Sequence, residues 1–334
     1  MAASMQLGNT HISISTIGLG CWQFSQAKGL VGGYWGELSQ ATATQIIAAS
    51  ITGGVNWFDT AEAYGNGSSE RVLAQGLRTL EIEPLHALIA SKWWPTPRLA
   101  SSIPVSAQRS QKNLGEYPLG LYQVHNPISL SSISAQMKAM SQLVKAGIVR
   151  FVGVSNFNAE QMRQAARMLQ SEGLQLASNQ VRYSLLVRDI ESNGVLEAAQ
   201  ELGVSIIAYS PLAQGLLTGR YHAEPALIRA RGGFRRFLPA FQPAAIKRTQ
   251  LLIQELTHVA DFHKVTCAQI ALAWLIQRNP GRVAVIPGAS SASQAEKNAA
   301  AMHIKLTPSE IEQLDLSSLT SKISKFIKVV NPVE

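Results

Sequence analysis

The chain contains only two cysteines, Cys21 and Cys267. They lie far apart and neither belongs to a CxxC pair. That excludes a disulfide framework and a cysteine-based zinc site, and it fits a reducing compartment. Nor do histidines, cysteines and carboxylates fall at ligand spacing, so no metal is expected. No apolar run approaches the ~18 residues that a membrane span requires. The first residues lack the charged start and apolar core of a secretory signal and leave little room for a transit peptide, so a cytoplasmic protein is expected. Charge is scarce too, at 15% of residues, although basic side chains prevail to a formal +8. Without a nucleic-acid motif, that excess reads as a mildly basic surface serving an anionic small molecule. No nucleic-acid or membrane partner is expected.

What is present is ample apolar material, 46% of 334 residues, arranged as a repeat. Short β-branched runs at 15–21, 54–59, 86–92, 120–125, 149–155, 177–181, 204–210 and 282–287 read as eight strands. Helical spacing fills stretches between them, at 42–52, 69–80, 129–146, 159–171, 194–202 and 266–278. Eight βα units without a break in composition predict an α/β chain of one domain, residues 1–334, closed as a (β/α)8 TIM barrel. An open dinucleotide-binding sheet would carry GxGxxG after its first strand; Gly18-Leu19-Gly20-Cys21-Trp22-Gln23 lacks the third glycine. Residues 5–14, with a Gly8-Asn9 turn, predict an N-terminal β-hairpin at the barrel bottom. A C-terminal extra helix is expected over 308–316, followed by a solvated Lys-dotted tail over 322–330. Residues 213–244 form a long excursion of the kind that more often serves function than not.

Barrel enzymes gather their chemistry at the C-terminal strand ends. Asp59 closes the second strand and is followed by Tyr64; Lys92 closes the third and His125 the fourth. Each has an ordinary reading alone: a helix cap, a surface lysine, a turn. Together they form a coherent acid-base set. A phenol titrates near ~10, an adjacent ammonium would lower that value, and a carboxylate behind the lysine would hold it charged. Histidine can donate a hydrogen bond to a carbonyl oxygen. Such a set suits protonation of an oxygen that gains charge while a hydride arrives at carbon. Trp22, Trp93 and Trp94 are expected to frame an apolar substrate mouth. At the eighth strand, Gly288 permits close backbone approach to a phosphate, and serine hydroxyls at a helix start favour an anion. Of Arg220, Arg229, Arg231, Arg235 and Arg236, the first and third are the candidates for a phosphate clamp, and the others read as surface.

Gly54-Val55-Asn56-Trp57-Phe58-Asp59-Thr60-Ala61-Glu62-Ala63-Tyr64-Gly65 resembles the signature of the aldo-keto reductase superfamily. Gly153-Val154-Ser155-Asn156-Phe157 and Ile286-Pro287-Gly288-Ala289-Ser290 resemble its two other landmarks. The likeness runs over roughly residues 12 to 316. It is nearest the bacterial and plastid aldo/keto reductase branch, and more distant from the potassium-channel β subunits. The resemblance implies a catalytic tetrad of Asp59, Tyr64, Lys92 and His125, with Tyr64 as proton donor, and NADPH as cofactor. It implies that Ser155, Asn156 and Gln180 hold the nicotinamide carboxamide while Tyr209 stacks on the ring. Ser210, Pro211, Leu212, Leu217, Gly219 and Arg220 would line the pyrophosphate path, and Gly288, Ser290, Gln294 and Asn298 would hold the adenosine 2′-phosphate and adenine. Cys21 and Trp22 would border nicotinamide and substrate. Lys297 stands where the family often has an acid; lysine cannot accept a hydrogen bond from adenine, but it adds charge near the 2′-phosphate.

Two function classes follow. The first is an NADPH-dependent enzyme reducing a small carbonyl substrate to an alcohol. The second is a slow-turnover NADPH-binding module that senses redox state, as the channel subunits suggest.

Overall fold

Strict alternation along a strand places residues i and i+2 on one face, and here that alternation organises the interior. The computed structural model describes residues 3–28, 36–230 and 238–321. Its strands are β1 (Ser4–Gln6), β2 (Ser13–Ser15), β3 (Leu19–Gly20), β4 (Trp57–Asp59), β5 (Leu88–Trp93), β6 (Leu119–Val124), β7 (Val149–Ser155), β8 (Leu176–Arg182), β9 (Ser205–Tyr209) and β10 (Val283–Val285). From β3 to β10 each strand pairs in parallel with the next in sequence. Bridges from Ile17 to Val285 and from Gly20 to Gly288 join first strand to last. The (β/α)8 barrel read from the sequence is present, and His125 lies one residue beyond β6 rather than within it.

The hairpin β1–β2 pairs Met5 with Ile14. Met5, Leu7 and Ile14 pack on the lower interior residues Trp57, Ala90, Leu121, Ala177, Ile207 and Ala284. Trp57 Nε1 donates to Ser15 O at 2.8 Å, and the Gly8 amide donates to Ser205 Oγ at 2.7 Å. A side chain at Gly8, with φ +57°, would meet the Ala177 carbonyl oxygen at 2.6 Å. The hairpin is therefore a seated plug. Two residues further along β4, β5, β6 and β9, the same inward face carries Asp59, Lys92, Gln123 and Tyr209. Apolar side chains close one end of the barrel, and polar ones occupy the other.

Around the barrel run α1 (Gln40–Thr52), α2 (Ser68–Thr79), α3 (Ile103–Leu114), α4 (Ile133–Lys145), α5 (Ala159–Ser171), α6 (Val195–Leu202), the short α7 (Arg220–Ala223) and α8 (Ala226–Ala230), α9 (Pro243–His263), α10 (Cys267–Arg278), α11 (Ala292–Ala300) and α12 (Pro308–Thr320). Ser39, Ser132, Asn158, Thr266, Ser291 and Thr307 cap helices with their side chains. The sequence reading singles out neither α3 nor α9, whereas the helix start expected at the serines after the eighth strand is α11, capped by Ser291. The 21-residue α9 begins where residues 213–244 read as loop; proline in its first turn supports a helix start, and residues spaced by three and four bury one face. Helix α12 runs to Thr320, beyond the expected 316. The tail over 322–330 lies outside the described residues. Among the described residues, no single helix is long and apolar enough to cross a membrane.

Helix α12 is fastened by a charged knot. Arg188 is 6% exposed and donates to Glu191 Oε1 at 2.9 Å, to Glu191 Oε2 at 2.7 Å and to Asp315 O at 3.3 Å. It also pairs with Asp315 Oδ1 at 2.9 Å and lies 5.0 Å from the Trp274 ring. Truncation would leave Glu191 without its cation and Asp315 with Arg278 alone, 2.9 Å from its Oδ2, in a half-buried seam. Arg188→Ala is expected to destabilise the chain by about 3 kcal/mol in equilibrium urea unfolding. A loss under ~1 kcal/mol, the size of an ordinary surface pair, would mean that the knot is decorative.

Candidate active site

The polar end of the barrel opens into a cavity of about 550 Å3. Asp59, Tyr64 and His125 line one part of it, and Gly288, Ser290, Gln294, Lys297 and Asn298 another. Lys92 sits behind this wall, fully buried. Its ammonium donates to Asp59 Oδ1 at 2.6 Å and to Thr60 O at 2.7 Å, and lies 5.0 Å from the Tyr64 ring centroid. The second carboxylate oxygen of Asp59 accepts from Gln180 Nε2 at 2.7 Å and Gln123 Nε2 at 3.4 Å. Gln123 was not foreseen, though it precedes His125 by two residues and so shares its face. Gly153 makes room for it: a Cβ there would meet Ser178 Oγ at 2.4 Å and Gln123 Cγ at 2.9 Å.

Burial governs the protonation states. Desolvation holds the Tyr64 phenol well above its usual range, and negative charge on Asp59 adds to this. Burial and Asp59 thus outweigh the lowering expected from the neighbouring Lys92 ammonium. Asp59 already answers the ammonium and opposes ionisation of a second acid nearby. Burial pushes the Lys92 ammonium downward, and the ion pair with Asp59 works against that. Burial, then the Lys92 charge, keeps His125 well below the ordinary imidazole value. His125 Nδ1 is buried without a partner. A proton there would be a donor lacking an acceptor, so the neutral ring carries its proton on Nε2. Burial likewise holds the Cys21 thiol well above its usual value, leaving no reactive thiolate.

Along the wall, Ser155 Oγ donates to Gln180 O at 2.8 Å, and Tyr209 OH donates to Asn156 Oδ1 at 3.0 Å. Asn156 adopts the left-handed region, φ +59°, which brings its amide N–H to Gln180 O at 2.9 Å. Ser210, Ala213 and Gln214 are left-handed as well. Such conformations each cost about 1–3 kcal/mol and cluster at working sites. Cys21, Trp22, Ser155, Asn156, Gln180, Tyr209, Ser210, Pro211, Leu212 and Arg220 all line the cavity.

Other placements differ from the sequence reading. Trp93 is fully buried in the core and donates to Ser102 Oγ, so of the three expected tryptophans Trp22 and Trp94 reach the rim. Leu217 is core and Gly219 is the left-handed residue before α7; neither lines the cavity. Arg231 lies outside the described residues. Gly288 lines the cavity, and a Cβ there would meet Gln23 Nε2 at 2.0 Å, so its bare backbone also houses the Gln23 amide. The cavity also takes in Gln23, Arg182, Gln214, Gly215, Thr218, Thr266 and Ala268. Arg182 could have been found by its place two residues beyond Gln180. Thr266 became a wall residue only because the excursion folds the start of α10 over the barrel mouth.

A closed parallel barrel with a buried lysine–aspartate pair beneath a phenol and an imidazole defines a class of barrel oxidoreductases. The chain belongs to the aldo/keto reductase family, which it matches over residues 16–318. It is 38% identical over 294 residues to an uncharacterised oxidoreductase of Mycobacterium tuberculosis, covering 88% of this chain and 86% of that one. It is 32% identical to a chloroplastic pyridoxal reductase of Arabidopsis thaliana, covering 93% and 85%. A thermostable aldo-keto reductase solved with the inhibitor epalrestat superposes with a TM-score of 0.74 at 28% identity, covering 94% of this chain and 99% of that one.

The neutral His125 has a thermodynamic consequence. The unfolded imidazole gains a proton near pH ~6.5 while the folded one does not. Stability tied to this residue is therefore full above pH 6.5 and falls as the pH drops below it. Between pH 7.5 and 5.5 the wild type is expected to lose about 1 kcal/mol more than His125→Gln in urea titrations. Equal losses would mean that His125 titrates normally in the fold.

Proposed function

We propose that the chain reduces an aldehyde or ketone to an alcohol with NADPH, Tyr64 giving the proton to the carbonyl oxygen. The observation that carries this reading is the 2.6 Å Lys92–Asp59 pair, set behind a protonated phenol at the cavity end that His125 also lines. The cavity suits a dinucleotide. Ser155, Asn156 and Gln180 offer amide and hydroxyl partners beside the Tyr209 ring. Farther along are the cations Arg220 and Lys297 and the capped N-terminus of α11, all favourable to phosphate. Ser290 and Gln294 bond one another through Ser290 Oγ and Gln294 Oε1 at 3.0 Å, so this end is already shaped. A reduced nicotinamide, when bound, supplies the hydride.

The residues of the chain do the rest. Nε2–H of His125 donates to the carbonyl oxygen and aims it. The raised phenol stays protonated at neutral pH, the form that reduction needs, and gives up its proton as charge grows on that oxygen. Lys92, oriented by Asp59, places positive charge beside the phenolate that results. Trp22 and Trp94 give the mouth an apolar, aromatic character.

Tyr64→Phe is expected to slow single-turnover oxidation of NADPH by a reactive aldehyde about 10²–10⁴-fold, roughly 3–5 kcal/mol of transition-state stabilisation. Lys92→Met should be comparably slow, with NADPH affinity nearly unchanged in both. Native rates in Tyr64→Phe would end the proposal. Because the Arabidopsis relative bears the name pyridoxal reductase, pyridoxal belongs in the substrate panel. For the cofactor, fluorescence titration should give at least tenfold tighter binding of NADPH than of NADH, a gap that Lys297→Ala narrows. Equal affinities would remove the 2′-phosphate from the reading.

A further inference from the structure

The His125 ring has no hydrogen bond at Nδ1 to set its angle. Histidines in working sites are commonly aimed by a carboxylate or carbonyl on the second nitrogen. Here the neighbours are rings. Trp94 meets His125 edge-on at 5.0 Å and Tyr64 meets it edge-on at 5.7 Å. The backbone has two ties below the ring: the His125 amide N–H donates to Trp93 O at 3.0 Å, and the His125 carbonyl accepts from Asn156 Nδ2 at 3.4 Å. Where Trp94 sits therefore decides where His125 points.

Trp94 is held by a side chain that the chemistry above does not use. Glu62 is 9% exposed and lies on the loop between Asp59 and Tyr64. Its Oε1 accepts the Trp94 amide N–H at 2.7 Å and Arg98 Nη1 at 2.7 Å. Arg98 Nη1 in turn donates to Trp94 O at 3.2 Å, so both backbone groups of Trp94 are fixed by one ion pair. Arg98 is braced by Ser102 Oγ at 3.2 Å and by Ser106 Oγ. The Glu62 amide N–H reaches Lys92 O at 3.4 Å, and the Glu62 carbonyl accepts from Gly67 at 2.8 Å. One carboxylate thus joins the loop that carries Tyr64 to the loop that carries Trp94. Charge-assisted bonds of this length, largely out of water, are stiff.

We propose that Glu62 is a positioning residue for carbonyl reduction: with Arg98 it locks Trp94, and through Trp94 it aims the His125 imidazole. The inference rests on the carbonyl-reductase reading of the site. It requires the carboxylate as a geometric acceptor rather than as a charge. Glu62→Gln, whose Oε1 can still accept both bonds, should therefore behave differently from Glu62→Ala.

The test is single-turnover oxidation of NADPH by a small aldehyde, with NADPH affinity measured by fluorescence on the same samples. Glu62→Ala is expected to lower the reduction rate about 10- to 100-fold, the scale of a misplaced group remote from the bond being made. Cofactor affinity should stay within about twofold. Glu62→Gln should recover most of the rate. In a His125→Gln background, adding Glu62→Ala should cost less than about twofold more, since the residue it steers is gone. If Glu62→Ala folds poorly, the same cycle run with Arg98→Met and His125→Gln decides the matter. Native-like rates in Glu62→Ala would overturn the proposal. So would equal losses in Gln and Ala, or full additivity with His125→Gln. A wild type that reduces no carbonyl would overturn the parent reading as well, whereas an active wild type with indifferent Glu62 variants would overturn this inference alone.

Discussion

The rest of the site depends on a lysine buried where no water reaches it. Moving an ammonium and a carboxylate into a barrel core costs several kcal/mol for each ion, and their attraction alone does not always offset that cost. Here the remaining valences are met: Thr60 O takes a second ammonium proton, and Gln180 and Gln123 approach the second carboxylate oxygen. The four strands that bring these groups together cannot slip by one residue without turning them outward. The plug of Met5, Leu7 and Ile14 beneath holds the lower barrel shut. A pair this deep is weak evidence for stability and better evidence for chemistry.

Electrostatically, the pair works by being complete. With Lys92 answered by Asp59, the phenol above it feels burial more than attraction and stays an acid. The imidazole stays neutral and becomes a one-sided donor. Both are the protonation states that delivery of a proton to a carbonyl oxygen would use, and neither requires a free charge at the reacting end. Cationic side chains line the rest of the cavity, Arg182 against the Tyr209 ring and Arg220 and Lys297 beyond it. The polarity of the cavity thus changes along its length. An apolar, aromatic mouth with neutral acids gives way to a wall suited to phosphate, which is the division of labour proposed for substrate and cofactor.

The long excursion links the two ends. Gln214, Gly215 and Thr218 reach the cavity from a segment with left-handed turns, and Thr266 and Ala268 arrive from the start of α10. Helix α9 then carries the chain away to pack on α10 and α12. Much of the roof therefore comes from chain that a minimal barrel would not contain, and it bears against the same helices that the Arg188 knot secures.

The sequence by itself determined the order of the strands and of most barrel helices, because alternation and capping are local properties of the chain; α3 and α9 were not legible in it. It also determined which strand ends carry Asp59, Tyr64, Lys92 and His125, since a parallel barrel puts every such end at one rim. The hairpin was legible for the same reason, as a glycine turn between short runs. Tertiary structure alone decided what those residues experience. The adjacency of Gln123 and Gln180 to Asp59, the room that Gly153 and Gly288 leave, and the burial of Trp93 behind a half-buried Trp94 arise between segments many residues apart. The upward shift of the Tyr64 phenol went against the local expectation for the same physical reason. A neighbouring charge can be named from the sequence, but the loss of water around a group is a property of the closed barrel, and here that loss outweighs the neighbour.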